Sequence, residues 1–420
     1  MTMLEPFEIC SIRPPTENFS LTFRLTRNCG WNRCLFCPVY KQGMKFSRRK
    51  MDEIMKDVDR AKAIDDLIMQ AMVDATGRDI FQVAGDLVRQ IQRYGGKADQ
   101  PPLETSPEED ANGSGNGFSS WFKDKPTIED SVQHVAAWRY YGGNTCFLGD
   151  SNSLVLKPDF FREALSYIRH VFPELNRFTI YGRTKSAAQM TLDDLRIFRD
   201  AGLDRIHFGL ESGCDEVLAF MKKGVTGKEH IAGCRKTIEA GISCGVYVMP
   251  GLGGAEWAEE HAHDTARVIS ASSPDYVRLR TLEIFPGTLL ADAARKGTFV
   301  EAPEDMVVWE IRTLVEEIDT DTEIVSDSAS NLLDVSGRLP GDRSKMLSVI
   351  DQYLGLSPRG KLEFSLSSRL QSFVGQYGGV TQEILRTIMP FIDGDRIDLG
   401  RASYTEANKV IQLIRSKLMP

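Results

Sequence analysis

The pattern of apolar and polar positions divides much of the chain into short strands and longer helices. Residues 21–28 alternate, with Leu21, Phe23 and Leu25 on one side, as in a strand that buries one face. From residue 144 onward, short apolar runs alternate with segments of helical periodicity. Strands are predicted near 144–148, 177–182, 205–210, 244–249 and 276–282, and helices near 158–171, 191–201, 228–241 and 256–271.

Six successive strand–helix units predict an α/β fold, a partial parallel (βα)6 barrel of TIM-like type that spans residues 21–295. Residues 1–20 are an irregular lead-in, because Pro14 and Pro15 do not support regular strand pairing. In barrels of this kind the reactive groups gather at the carboxyl ends of the strands. We therefore look for chemistry where each strand ends.

A helical insertion is predicted in the first strand–helix connection, over about residues 60–142. Helical periodicity covers 60–96, whereas 96–120 consists mainly of Gly, Pro, Ser, Asp and Glu and predicts a flexible loop. A loop of this length is either a surface insertion or an active-site lid.

Residues 296–420 are predicted to form a separate, mostly helical C-terminal region. Its polar residues Ser326, Asp327, Ser328 and Asn331 fit two roles equally well, closing a site or capping a helix. Helices are predicted near 303–318, 343–354, 380–391 and 404–418, and 319–342 is expected to be irregular.

Composition and charge restrict the class of protein. The 420 residues are 42% hydrophobic and 26% charged, which is ordinary for a globular protein. The net charge of −8 argues against a broad, sequence-independent grip on nucleic acid. No apolar run approaches the roughly 20 residues that span a bilayer, and the N-terminus does not resemble a secretion signal. We expect no membrane span and a cytoplasmic location.

Three of the eight cysteines, Cys29, Cys34 and Cys37, fall within nine residues directly after the first strand. Thiolates this close together bind a soft metal centre, and iron–sulfur clusters and zinc are the usual candidates. A structural zinc site needs four ligands, and the next histidine is His134, about a hundred residues further on. Three cysteines suit a four-iron cluster that leaves one iron open, while a zinc-stabilised interaction module is the non-enzymatic alternative.

The remaining cysteines are scattered and are expected to be small buried residues. Cys214, which opens a predicted helix, is the one candidate for reactivity. The five are Cys10, Cys146, Cys214, Cys234 and Cys244.

Polar side chains alternate with the apolar face of the predicted strands. An unpaired buried charge is costly, so these side chains predict either a lumen that holds anionic groups or ordinary ion pairs with nearby carboxylates. They are Arg24, Thr179, Tyr181, Arg183, Arg205, His207, Glu211, Arg278 and Arg280.

The segment from Cys29 to Pro38 resembles the cluster loop of the radical S-adenosylmethionine (radical SAM) enzymes. Phe36, just before the third cysteine, matches an aromatic position that packs near the cluster and the adenine in that family. The family's usual spacing is C-x3-C-x2-C, and this chain has C-x4-C-x2-C. The resemblance implies that Cys29, Cys34 and Cys37 hold a [4Fe–4S] cluster.

Other segments resemble the same superfamily in their order after successive strands. Glu211 and Ser212, in Gly-Leu-Glu-Ser-Gly, match a segment that contacts the ribose in tRNA methylthiotransferases and their relatives. Gly251 lies in a Gly-rich turn that lets backbone approach the cofactor. Gly149 and Asp150 stand where the family commonly has Gly-Gly-Glu-Pro, which implies that Asp150 binds the methionine amine.

Arg183 and Arg280 complete the cofactor-binding set that we predict at the strand ends. The turn from Phe285 to Thr288 resembles the closing turn of anaerobic coproporphyrinogen oxidases and methylthiotransferases. By contrast, His261 and His263 are two residues apart on a predicted helix and do not share a face, so we expect solvated surface histidines rather than metal ligands.

The resemblance implies an oxygen-sensitive enzyme that cleaves S-adenosylmethionine reductively to a 5′-deoxyadenosyl radical, which abstracts hydrogen from the substrate. We expect an anionic small-molecule substrate and an electron donor such as flavodoxin or ferredoxin. His207 faces the predicted lumen and is our candidate for handling a proton. The alternative enzymatic function is an RNA-modifying, methylthiotransferase-like activity. The negative net charge and the lack of a second cysteine cluster in the sequence argue against it.

Overall fold

The structure is a computed structural model. It describes residues 4–10, 12–40, 45–75, 77–94, 126–394, 396–397, 399 and 403–417. The predicted flexible loop at about 96–120 lies outside the described residues. Two helices lie before it, where helical periodicity was predicted, and a third helix, Ile128–Tyr140, which was not predicted, follows it.

Most predicted elements are found within a few residues of their expected bounds. The strands are β1 Leu21–Arg24, β2 Thr26–Arg27, β3 Ser47–Arg48, β4 Thr145–Gly149, β5 Arg177–Gly182, β6 Arg205–Glu211, β7 Ser243–Val248, β8 Tyr276–Leu279, β9 Thr322–Val325, β10 Gly337–Leu339, β11 Ile392–Asp393 and β12 Arg396–Ile397. The helices are α1 Met51–Asp74, α2 Ile80–Tyr94, α3 Ile128–Tyr140, α4 Pro158–Val171, α5 Thr184–Gln189, α6 Leu192–Asp200, α7 Asp215–Phe220, α8 Gly227–Glu239, α9 Ala258–Ser272, α10 Leu289–Arg295, α11 Glu304–Glu317, α12 Arg343–Leu354, α13 Pro358–Tyr377, α14 Gln382–Ile388 and α15 Tyr404–Lys417.

The main sheet has the strand order β1-β4-β5-β6-β7-β8-β9-β10. The chain divides into two compact units, which we describe separately. The amino-terminal unit comprises Met1–Asn32, Val39–His207 and Lys236–Ser243; the carboxy-terminal unit comprises Arg33–Pro38, Phe208–Arg235 and Cys244–Pro420.

In the amino-terminal unit, β1, β4 and β5 pair in parallel, with Leu21 opposite Cys146 and Cys146 opposite Phe178. Every residue of β1 is buried, and Leu21 and Phe23 are fully withdrawn from solvent. Parallel strands are covered on both faces, which explains why polar Thr22 and Arg24 are buried as well.

In the carboxy-terminal unit, β7, β8 and β9 pair in parallel and β10 closes the edge in the antiparallel direction. One face of these strands carries small and branched apolar residues, including Val246, Val277 and Ile324, all of which are buried. Helices α9 and α11 pack against each other in this unit.

The expectation of an irregular stretch over 319–342 is wrong at two places, because β9 and β10 lie within it. In β9, Thr322 and Ile324 are buried while Glu323 is exposed, so the alternation exists but spans only four residues. The C-terminal region also contains the 20-residue helix α13, which we did not predict. No helix begins between Ser326 and Ser336, so Asp327 and Asn331 are not helix caps.

Among the described residues, no helix is both long enough and apolar enough to cross a membrane.

Candidate functional site

The backbone at Asn28, the residue before Cys29, is fixed by the end of β4. The Asn28 N–H donates to Asp150 Oδ2 at 2.8 Å, and the Asn28 carbonyl accepts from Ser151 Oγ at 3.1 Å. Its side chain donates to the Lys45 carbonyl at 2.9 Å, and its φ of 66° lies in the left-handed region. These contacts hold a strained conformation directly before the first cysteine of the loop.

Asp150 is part of a buried ion pair. Arg24 donates to Asp150 Oδ2 through Nε at 3.2 Å and Nη2 at 2.6 Å, and both residues are almost fully buried. Cys10 Sγ lies 3.3 Å from the other carboxylate oxygen. Burial lowers the pKa of Arg24, but Asp150 outweighs this effect and raises it overall. Both Asp150 oxygens therefore already contact groups of this chain.

Gly149, predicted to bind the cofactor, is tightly packed inside the amino-terminal unit. A Cβ atom at this position would overlap the sulfur of Cys10. The glycine therefore lets Cys10 approach the β4 backbone, next to the Asp150 carboxylate.

Arg183 lies against the cysteine loop. Its backbone N–H donates to Asn152 Oδ1 at 3.1 Å, and Asn152 in turn donates to Ser186 Oγ at 2.9 Å. The guanidinium carbon of Arg183 is 4.7 Å from the ring centroid of Trp31, a cation–π distance. The structure thus brings Arg183 to the loop that follows Cys29.

His207 lies elsewhere in the amino-terminal unit, with Glu17 of the lead-in. His207 Nε2 is 3.6 Å from Glu17 Oε1, and Glu17 also accepts from Arg177 at 2.8 Å and from Ser20 at 2.7 Å. Arg177 is the first residue of β5, so this cluster lies near the amino ends of the strands. Burial lowers the pKa of His207, although Glu17 opposes the effect. The role in proton handling stays a prediction.

In the carboxy-terminal unit, the segment that holds Cys34, Phe36 and Cys37 is anchored through Leu35. The Leu35 N–H donates to the Met221 carbonyl, and the Leu35 carbonyl accepts from the Leu290 N–H, both at 3.0 Å. Leu35 is buried in an apolar cluster, and Phe36 packs against that cluster. Cys34 and Cys37 remain half-buried.

Glu211 and Lys223 form an ion pair beside Phe36. Lys223 Nζ is 2.9 Å from Glu211 Oε1 and 5.8 Å from the centroid of the Phe36 ring. Glu211 has a φ of 67°, an uncommon conformation for a residue other than glycine. The predicted ribose-binding carboxylate and the predicted adenine-side aromatic thus share a contact with one lysine.

Ser212 is fully buried and its hydroxyl contacts groups of this chain. The hydroxyl accepts the Cys214 N–H at 3.0 Å and lies 2.8 Å from His261 Nδ1. His261 Nε2 lies 3.1 Å from the Met249 carbonyl, a geometry that suits a neutral ring with its proton on Nε2. Burial lowers the pKa of His261 to about 4. The expectation of a solvated His261 is wrong, because its ring connects two buried segments; His263 is exposed.

Gly251 is held by Glu310, a residue that we did not predict. The Gly251 N–H donates to Glu310 Oε2 at 2.6 Å. The carboxyl group is fully buried, and burial raises its pKa to about 8. A glutamate within the apolar stripe formed by Val307, Val308 and Ile311 was the available sequence signal.

Arg280, predicted to bind the cofactor, follows β8. Its backbone N–H donates to the Val248 carbonyl at 3.0 Å, and its side chain is half-buried. The neighbouring Arg278 is almost fully buried.

All eight cysteines are described, and none forms a disulfide. The three in the loop are half-buried, whereas the other five are buried as expected. Burial raises the pKa of Cys214 to about 11, which makes it an unreactive thiol at neutral pH. Cys29 Sγ accepts the Asn32 N–H at 3.3 Å, the kind of bond that tunes cluster sulfurs. Three reduced, accessible sulfur donors fit a [4Fe–4S] cluster.

Comparison with known proteins finds one family model that matches part of the chain. Residues 111–266 match the radical SAM superfamily; the match begins after the three cysteines and ends within α9. The sequence has no match among curated proteins.

Several solved structures are similar to this chain at low identity. Archaeal Elp3 from Methanocaldococcus infernus is 16% identical, with a TM-score of 0.38, over 51% of this chain and 55% of its own. Methylornithine synthase is 14% identical, with a TM-score of 0.39, over 79% and 68%. Coproporphyrinogen III oxidase from Escherichia coli is 13% identical, with a TM-score of 0.31, over 65% and 77%. This chain thus spans about half the length of the Elp3 chain.

This part of the chain, residues 111–266, therefore matches the radical SAM superfamily, the same family that the cysteine loop resembles. Its fold is the mostly parallel α/β arrangement of that superfamily's partial barrels, as the sequence predicted. Members of the superfamily use a [4Fe–4S] cluster and S-adenosylmethionine. The subfamily is not identified by these comparisons.

Proposed function

We propose that this protein is a radical SAM enzyme in which Cys29, Cys34 and Cys37 hold the [4Fe–4S] cluster. The observation that carries the proposal is the set of three half-buried cysteines in one loop, none of them in a disulfide, in a chain whose other five cysteines are buried. When bound, the cluster and S-adenosylmethionine supply reductive cleavage of the sulfonium and a 5′-deoxyadenosyl radical that abstracts hydrogen from the substrate.

The residues of this chain position the loop and the cofactor. Arg183 orients the loop through Trp31, and Lys223 holds Glu211 beside Phe36, where the carboxylate accepts from ribose hydroxyls. The Gly251 turn presents backbone to the cofactor, and Arg280 offers a cation to its carboxylate.

Two residues that we predicted to bind the cofactor, Ser212 and Gly149, support the site indirectly in this proposal. The buried hydroxyl of Ser212 fixes the segment that follows Glu211, and Gly149 makes room for Cys10. Neither needs to touch the cofactor. A proton transfer at His207 Nε2 would take place beside the Glu17 carboxylate.

The substrate is a small molecule with an anionic group, and an electron donor such as flavodoxin or ferredoxin supplies the electron. The arginines at the ends of the strands support the anionic substrate. Eight cysteines without a disulfide support a reducing compartment such as the cytoplasm.

Anaerobic reconstitution tests the proposal directly. Protein reconstituted with iron and sulfide should be brown and hold about four iron atoms per chain. With S-adenosylmethionine and dithionite it should release 5′-deoxyadenosine. Alanine at Cys29, Cys34 or Cys37 should abolish both, whereas the matched variant Cys234→Ala, at a buried cysteine outside the loop, should retain both.

Uptake of zinc alone, or no 5′-deoxyadenosine under reducing conditions, contradicts the proposal. Candidate substrates can then be ranked by how much they increase 5′-deoxyadenosine release.

A further inference from the structure

Arg278, on β8, is a buried arginine whose hydrogen-bonding capacity is only partly used. Its side chain is 2% exposed, and its Nη2 contacts both carboxylate oxygens of Asp327. Its Nε and Nη1, which carry three of the five N–H donors of a guanidinium, have no hydrogen-bond partner among the described residues. A buried donor without a partner costs free energy, so this side chain is poised for a further acceptor.

The register of the sheet shows which face Arg278 occupies. Arg278 pairs with Tyr247 and Tyr276 pairs with Gly245, so these four residues share one face of β7 and β8. A Cβ atom at Gly245 would overlap the Tyr276 ring, which therefore lies over that glycine. Apolar Val277 and Leu279 occupy the opposite face. Arg278 thus lies on a face lined by two buried tyrosines, opposite the apolar side of the strands.

The two partners of the ion pair differ in their access to solvent. The Asp327 side chain is 49% exposed, against 2% for Arg278. The carboxylate can therefore exchange its partner for water at little cost, whereas the guanidinium cannot. Asp327 is a counter-ion that an incoming anion can displace.

The segment that carries Asp327 is held independently of this ion pair. Asn331 Oδ1 accepts the Thr281 N–H, and Asn331 Nδ2 donates to the Leu279 carbonyl, both at 2.9 Å. Displacement of the Asp327 carboxylate would therefore leave the segment docked on the end of β8. The displacement would also release Nη2 from the ion pair. Nη2 together with Nε or Nη1 can donate two parallel hydrogen bonds to one anion, the bidentate geometry in which carboxylates and phosphates bind arginine.

We propose that Arg278 anchors the anionic group of the substrate, a carboxylate or a phosphate, and that Asp327 is the counter-ion which the substrate displaces. The assignment of this anion to the substrate rests on the proposed function. The binding of an anion at Arg278 does not depend on the cluster.

Titration with inorganic phosphate and with acetate, at constant ionic strength, tests the proposal on the full chain with and without its reconstituted cluster. Isothermal titration calorimetry should show saturable binding of at least one anion. Asp327→Asn should tighten that binding about tenfold because it removes the competing carboxylate, and Arg278→Gln should abolish it. The tighter of the two anions identifies the substrate group.

Arg338→Gln is the matched control, since Arg338 is an exposed arginine paired with Asp321 on the edge of the sheet. It should leave anion binding unchanged. Binding that survives Arg278→Gln, or that is equal or weaker in Asp327→Asn, overturns the proposal, as does the absence of binding in both wild type and Asp327→Asn. If Arg278→Gln fails to fold, Asp327→Asn alone decides. Failure of S-adenosylmethionine cleavage would leave this titration unaffected, so the two proposals fail separately.

Discussion

Each of the two units contains a buried carboxyl group that accepts a backbone N–H group, and the surroundings of these two carboxyl groups are opposite in kind. In the amino-terminal unit, Asp150 fixes Asn28 and is paired with the Arg24 guanidinium. In the carboxy-terminal unit, Glu310 fixes Gly251, and the nearest basic group is His261 Nε2 at 3.8 Å. The pKa of His261 is lowered to about 4, so the ring carries no charge at neutral pH.

The comparison shows that burial alone does not decide how a carboxyl group acts. Asp150 has a cation in contact, and together they form an ion pair that orders the start of the cysteine loop. Glu310 has no cation in contact among the described residues, and its pKa of about 8 keeps it protonated at neutral pH. One turn is therefore held by a charged carboxylate. The other is held by a neutral carboxyl group, whose ionisation in alkaline solution would leave a buried charge without a cation in contact.

Removal of the cation should give the largest effect. Arg24→Met leaves Asp150 buried without its partner, and breaking a buried ion pair in this way costs about 3–5 kcal/mol in the free energy of unfolding. Urea denaturation of the unreconstituted protein measures it. Arg24→Met/Asp150→Leu should recover most of the loss, and the exposed Arg196→Met should change little. No recovery in the double variant would mean that packing, not charge, dominates at Arg24.

Asp150→Asn separates two roles for this carboxylate. If Asp150 orders the loop, the variant should lose about 1.5–3 kcal/mol of stability and retain several-fold less iron after reconstitution, because its charge-assisted bonds to Arg24 and Asn28 weaken. Asn28→Gly keeps the N–H and tolerates the positive φ, so it should load iron normally. Full iron loading with a loss of S-adenosylmethionine affinity would instead support the predicted contact with the methionine amine.

Glu310→Gln should flatten the pH dependence of stability. The pKa of Glu310 is raised in the folded state from 4.5 to about 8, so wild type should lose stability as the pH rises between these values. The lowered pKa of His261 has the opposite effect: it makes the stability of the folded state rise with pH, up to about pH 6.5, the ordinary pKa of histidine. Between pH 6.5 and 8, wild type should therefore lose roughly 1–2 kcal/mol relative to the variant, as measured by urea denaturation. If the stabilities of wild type and Glu310→Gln changed in parallel over this pH range, Glu310 would already be ionised at pH 6.5.

Ser212→Ala should have the smallest effect. It removes the hydroxyl that joins the Cys214 N–H to His261, and neutral hydrogen bonds of this kind are worth about 1 kcal/mol each. Thermal unfolding should show a modest decrease in Tm, while the exposed Ser416→Ala should show none. A loss as large as that of Arg24→Met would mean that the neutral network is as strongly coupled as the ion pair.

Much of the fold, and the candidate cysteine loop, could be predicted from local pattern. Periodicity located strands β4 to β8 and helices α4, α6, α8 and α9. It gave no bounds for α5 and α7, because six residues are too few to show a helical repeat. Strand β9 was missed because Thr322 and Glu323 are polar, which leaves only Ile324 and Val325 as an apolar signal between polar flanks. The three cysteines were evident because metal ligation requires several donors at close spacing in one loop.

The contacts of single side chains could not be predicted in this way. The sequence presents Glu310 and His261 as ordinary polar residues on helices, and only packing removes them from water and shifts their pKa values. Likewise Asp150 follows a strand as expected, but its partner Arg24 lies 126 residues earlier.

The sequence by itself determined the α/β class, the proposed sulfur donor set and the superfamily resemblance, since these depend on periodicity and spacing along the chain. Only the tertiary structure decided which carboxyl groups are charged, which predicted site residues are occupied by the chain itself and which arginine retains free donors. Those properties depend on burial and on neighbours that are distant in sequence, and local pattern does not encode them.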